Sequence, residues 1–102
     1  MSPKDYRPQP IDTSRVEVPE EVMNLMEMLA RNTHEIWSQH RLQAGWHWGE
    51  ERDDARKLHP CLVPYDELPE SEKVYDRAIA IELVKAILGL GFRIVRPERK
   101  AQ

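Results

Sequence analysis

Proline placement constrains this chain more than any other feature. Four of the eight prolines fall in the first 19 residues, and Pro60, Pro64 and Pro69 crowd the middle. Inside a helix, proline removes a backbone hydrogen bond and clashes with the preceding turn, costing about 3 kcal/mol. Long helices therefore fit only between Pro19 and Pro60 and after Pro69. An extended arm precedes the first, and an irregular linker joins the two.

Both windows carry helical signals. Pro19 stands where a first helical position belongs, and Glu20 and Glu21 follow at the positive end of the dipole. Val22, Leu25, Met26, Leu29, Thr33, Ile36 and Trp37 share one helical face, which predicts a helix to about Arg41 with Gly45 as its stop. Glu27 and Arg31 are spaced to pair one turn apart. In the second window, Glu70 and Glu72 follow Pro69, and only Glu82 and Lys85 are polar between Ala78 and Leu88. A helix apolar on most sides is expected to be central and buried. Gly89 and Gly91 end it, and Phe92–Val95 form a short extended exit.

The expected architecture is mostly α: two long packed helices, a proline-rich N-terminal arm and an ordered irregular linker with at most one short helix, around 50–57. The arm is expected to turn at Asp12, Thr13 and Ser14 and to be pinned by Tyr6, Ile11, Val16 and Val18. One domain is expected over 1–102, with its core at about 6–95, a loose start and a flexible tail from 96.

Charge and cysteine content narrow the function classes. A net charge of −3 argues against phosphate-backbone binding, so nucleic acid is not expected as the main partner. The single cysteine, Cys61, forms no internal disulfide and fits a reducing compartment, the cytoplasm. No apolar run approaches the ~20 residues of a membrane span, and no signal peptide is visible.

The linker holds the densest chemistry. Gly45–Tyr65 reads GWHWGEERDDARKLHPCLVPY, with two tryptophans set between glycines, then an arginine–aspartate–aspartate cluster, then a His-Pro-Cys step. Two readings stand. In one, Trp37, Trp46 and Trp48 offer stacking faces, Arg41, Arg52 and Lys57 offer charge to phosphate, and Asp53 or Asp54 bonds a ribose or base edge. In the other, Trp37 and Trp46 fill the core and Arg52 braces the linker through an aspartate, leaving Trp48 as the exposed ring.

Other chemistry lacks its spacing. His34, His40, His47, His59 and Cys61 do not fall at metal-ligand intervals, so no metal is expected. His59-Pro60-Cys61 lacks the second cysteine of a deaminase zinc motif. Asp53 and Asp54 are adjacent, so their carboxylates diverge. The glycines are not spaced as a phosphate cradle, and no catalytic constellation or cofactor is expected.

Taken in order, several short elements resemble the ryanodine-receptor repeat. They are Tyr6-x-Pro8-x-Pro10-Ile11-Asp12-Thr13, Leu29-Ala30-x-Asn32-x-His34-Glu35-x-Trp37, Arg41, Gly45-Trp46, Gly49 and Arg52-Asp53-Asp54. They continue with Lys57, His59-Pro60-Cys61-Leu62-Val63, Leu68-Pro69-Glu70 and Leu88-Gly89-Leu90-Gly91, together spanning nearly the whole chain. That repeat occurs as tandem pairs in the large intracellular calcium-release channels and singly in prokaryotic and phage proteins. The resemblance implies a small, mostly helical, non-catalytic module that contacts neighbouring domains, with His34, Glu35, Gly45, Gly49, His59 and Pro60 as motif positions. It also implies an alternative, adenine- or cyclic-nucleotide binding by paired repeats. A single repeat would need a second copy for such a pocket, through a homodimer or a half-site.

Overall fold

The computed structural model describes residues 5–98, so the expected loose start and the end of the flexible tail lie outside the described residues. Within them the chain is mostly α. Helix α1 spans Glu20–Met23, α2 Met26–Gln43 and α3 Glu70–Gly89. The linker adds two short parallel strands, β1 His47–Trp48 and β2 Leu58–His59, and a 3-10 turn at Tyr65–Glu67.

The two long helices pack against each other as expected, with three departures. First, the predicted helix from residue 20 is interrupted. The Leu25 N–H bonds the Val22 carbonyl three residues back, a tightened turn at Asn24 and Leu25. Second, the buried face of α2 is rotated from the predicted one. Ala30 and His34 are enclosed, whereas Leu25 and Ile36 are exposed. The linker causes this, because Tyr65 and Leu68 form the core cluster with Ala30, and Cys61 and Val63 pack around it.

Third, Glu27 and Arg31 do not pair. Each finds a partner in another element. Arg31 grips Asp66 of the 3-10 turn through two hydrogen bonds of 2.9 and 3.2 Å. Glu27 accepts from Arg77 on α3 and from the Tyr65 hydroxyl, the latter at 3.3 Å. Arg77 also reaches Glu70 at 2.6 Å, so one arginine joins α2 to the first turn of α3.

The expectation of a buried α3 is also corrected. Its buried apolar residues are Ala80 and Val84, while Val74, Tyr75, Ile79, Leu83 and Ile87 are exposed. The helix is apolar on two sides, and α2 covers one.

In the arm, Ser14 bonds the Asp12 carboxylate through both its N–H and hydroxyl, making the predicted turn. Buried Thr13 donates to Glu82 of α3 at 2.8 Å. Val16 and Val18 are half-buried, but Tyr6 and Ile11 are exposed and do not pin the arm.

The linker folds back by backbone pairing, and no helix forms at 50–57. Asp53 and Leu58 exchange both backbone hydrogen bonds at 2.9 Å, and the Asp53 side chain accepts from the Arg56 N–H at 3.1 Å. Gly45 leaves α2 at φ 93°, a left-handed angle that suits glycine, and Lys57 caps that helix end through the Ala44 carbonyl at 2.8 Å. Gly49 is required for closeness: a Cβ there would stand 2.7 Å from Leu58 Cβ. Gly49→Ala should therefore force the linker away from β2 and cost about 1–3 kcal/mol. Urea denaturation checks this, and an unchanged midpoint refutes it.

Candidate functional site

The linker returns along α2 to enclose a cleft of about 350 Å³. Helix α2 contributes His34, Trp37 and Arg41; the linker contributes Arg52, His59 and Cys61; Leu68 and α3's Glu72, Asp76 and Ile79 complete it. Its back wall is a run of rings. His34 stacks on Trp37 at 5.7 Å between centroids, Trp37 meets His59 edge-on at 4.9 Å, and His59 lies 6.2 Å from Trp46.

Arginines cover the indoles. The Arg41 guanidinium lies 5.4 Å from the Trp37 ring centre and 4.5 Å from that of Trp46, and Arg52 lies 5.9 Å from Trp46. Such contacts contribute about 0.5–2 kcal/mol each, more as water is excluded, and Trp46 is buried. The two arginines differ in what remains for a ligand. Arg52 bonds Asp54 through Nε at 2.8 Å and holds that carboxyl below its usual range. Arg41 has no carboxylate partner among the described residues.

Hydrogen bonds set the imidazole orientations. His34 Nε2 lies 2.7 Å from the Val63 carbonyl, which only accepts, so Nε2 carries a proton. Its Nδ1 stands 4.0 Å from Asp76. His59 Nδ1 accepts the Cys61 N–H at 3.1 Å. Burial, then the charges of Arg52 and Arg41, push the His59 pKa down. Burial pushes the Cys61 thiol up, and the carboxylates of Glu72 and Asp76 push it further. The Asp76 carboxyl is raised by burial against the pull of His34.

Of the residues expected to carry chemistry, Trp37, Arg41, Trp46 and Arg52 come together, with Asp54 behind Arg52 and His34 and His59 in the same wall. Trp48, Asp53 and Lys57 are not brought to the cleft. Trp48 is exposed in a different groove with Glu35 and Leu42, whereas Asp53 and Lys57 form the linker turn and helix cap. Gly45 and Gly49 shape the backbone, and Pro60 is exposed beside His59. Sequence reasoning missed Glu72, Asp76 and Ile79, although their spacing puts them on one face of α3. Among the described residues, no group of three or more His, Cys, Asp or Glu could hold a metal ion, and no helix is long and apolar enough to cross a membrane.

A family model described as the RyR domain matches residues 6–96. The chain belongs to this family. The match takes in the arm, the long helices and the linker, so the cleft is built from the RyR domain itself.

The depressed His59 pKa makes the stability of this RyR domain sensitive to pH. Because the folded-state value lies below the ordinary 6.5, folding disfavours the protonated ring. The contribution is complete above pH 6.5 and is lost as pH falls from there through the folded value. The urea midpoint should drop between pH 7.5 and 5.5, and His59→Gln should flatten that dependence. Equal slopes in the two proteins would refute the assignment.

Proposed function

We propose that this RyR domain is a non-catalytic binding module, working in the cytoplasm, that recognises a partner domain or its own copy through α3. One observation carries the reading: the uncovered apolar stripe of α3. Tyr75, Ile79 and Leu83, with Leu90 just past its end, fall at helical spacing and are 57–67% exposed. Contiguous apolar surface of this kind marks docking sites on soluble proteins.

The surrounding geometry supports it. Between the stripe and the arm runs an open groove of about 800 Å³, walled by Pro10–Ser14 on one side and by Ile79, Leu83 and Ala86 on the other. Absence of catalysis is supported by the cleft's own chemistry: a thiol made less acidic, an imidazole nitrogen already accepting a backbone N–H, and Asp54 committed to Arg52.

A photo-crosslinking side chain placed at position 83 should form adducts with another polypeptide, whether a second copy or a different protein. The same group at exposed position 55 in the linker should not. Equal yields at both positions, or none at 83, would sink the reading.

The unspent donors of Arg41, held between Trp37 and Trp46, favour a second reading as a sensor of a small anion such as an adenine or cyclic nucleotide. Contacts would come from Arg41, Arg52 and His34, with Trp48 outside the cleft. Calorimetry should then show binding that Arg41→Ala weakens at least about tenfold, the loss of one charge-assisted contact, and that Trp48→Ala leaves unchanged. No heat at millimolar nucleotide would end this reading.

A further inference from the structure

We infer that the ring-walled cleft takes a small elongated zwitterion, with its ammonium held by His34, Glu72 and Asp76 and its carboxylate on Arg41. The inference rests on the anion-binding role of Arg41 in the second reading above and gives the opposite end of the cleft a ligand group of its own.

The acidic end is a set of acceptors without a donor. The His34 side chain is 4% exposed, and its Nε2 proton is spent on the Val63 carbonyl. In the neutral ring Nδ1 is then an acceptor, and among the described residues no donor reaches it. It faces the Asp76 carboxylate across 4.0 Å, too far for a direct hydrogen bond. Glu72 stands one turn earlier on α3, lines the same cleft and forms no ion pair among the described residues. Burial raises the Asp76 carboxyl and the Glu72 charge adds to it, so the two carboxylates are close. An ammonium brings three N–H donors to these three acceptors. A nitrogen about 2.9 Å from both His34 Nδ1 and Asp76 fits between atoms 4.0 Å apart. A metal ion does not fit, since no group of three or more His, Cys, Asp or Glu among the described residues could hold one.

The basic end lies two helical turns further along α2, about 10 Å from His34 to Arg41. Trp37 separates the poles, its ring 5.7 Å from that of His34 and 5.4 Å from the Arg41 guanidinium. Asp54 occupies Arg52, so one uncompensated cation faces the ligand, which suits a singly charged carboxylate. After a hydrogen bond at each end, roughly 4–7 Å is left between the ligand's nitrogen and its carboxylate, the length of three to five methylene links. Such a chain would lie along Trp37, with Leu68 and Ile79 as further apolar lining.

Calorimetry of the full chain near pH 7.5 tests this with straight-chain amino acids that carry amine and carboxylate at opposite ends, about three to eight carbons long. Controls are the carboxylic acids and the amines that lack one end. Affinity should peak at an intermediate length, where the two-ended probe binds at least about tenfold tighter than either control, the worth of one charge-assisted contact. Asp76→Asn should erase the advantage over the carboxylic acid, and Arg41→Ala the advantage over the amine, with helical circular dichroism unchanged. Glu72→Gln should weaken the two-ended probe at least about threefold, and it keeps the test decisive if Asp76→Asn does not fold. A two-ended probe that binds no better than its carboxylic acid overturns the acidic pole and leaves the anion site at Arg41 standing. Undiminished binding in Asp76→Asn or Glu72→Gln overturns the inference, as does the absence of heat from every probe at millimolar concentration; the nucleotide titration then decides the anion reading by itself.

Discussion

The Tyr65 side chain is the joint on which the fold turns. It is 1% exposed and, among the described residues, the only large side chain so fully enclosed. Burying a tyrosine requires a partner for its hydroxyl, and Glu27 of α2 supplies one while also accepting from Arg77 of α3. Arg31 and Lys73 lie 5.1 and 5.5 Å from the ring centre, one from each long helix. A single aromatic side chain from the linker thereby fixes the helices relative to each other. The polar bonds around it are exposed and individually weak, so orientation rather than energy is their main contribution.

That joint also places the cleft. Once Tyr65 is seated, the Val63 carbonyl lies beside α2 and accepts a hydrogen bond from the His34 Nε2–H, which holds the His34 ring against Trp37. The ring run then continues through His59, whose strand pairs with the segment carrying Trp48. Arg41 is held by two indoles with no carboxylate partner among the described residues, leaving its cation ordered by the rings alone. Ordering a long side chain normally costs conformational entropy at the moment of binding, and here the indoles have already restrained it.

The parts legible in sequence were those set by local backbone chemistry. Proline placement marked the arm, the linker and the starts of α1 and α3, though not that of α2, and Asp12 and Ser14 announced their turn. Partner choice between elements was not legible. Glu27 and Arg31 have ideal spacing for each other, but bidentate Asp66 and the Tyr65–Arg77 pair compete across space. The cluster around Trp46 separated as well. Trp46 and Trp48 stand two apart, a spacing that would share one face of a regular strand, yet Trp46 lies in the turn that leaves α2 at Gly45 and Trp48 sits in a different groove from the cleft of Arg52 and His59. Three cleft residues on α3 went unseen because nothing in their own spacing reveals which linker will fold opposite them.

The misreading of α3 has the deepest physical cause. A nearly continuous apolar run says that a helix needs covering on more than one side, but not that the same chain provides all of the cover. Here α2 takes the side of Ala80 and Val84, the arm touches one edge through Thr13, and Tyr75, Ile79 and Leu83 remain in water. Each exposed leucine or isoleucine there, more than half in water, forgoes roughly 1–2 kcal/mol of burial, a large amount beside the marginal stability of a small domain. Polar substitution at Tyr75 or Leu83 would remove that exposure without disturbing the face of Ala80 and Val84, whereas Ile79 also lines the cleft. An apolar side that the fold itself does not use is the feature on which the proposed docking role of α3 rests.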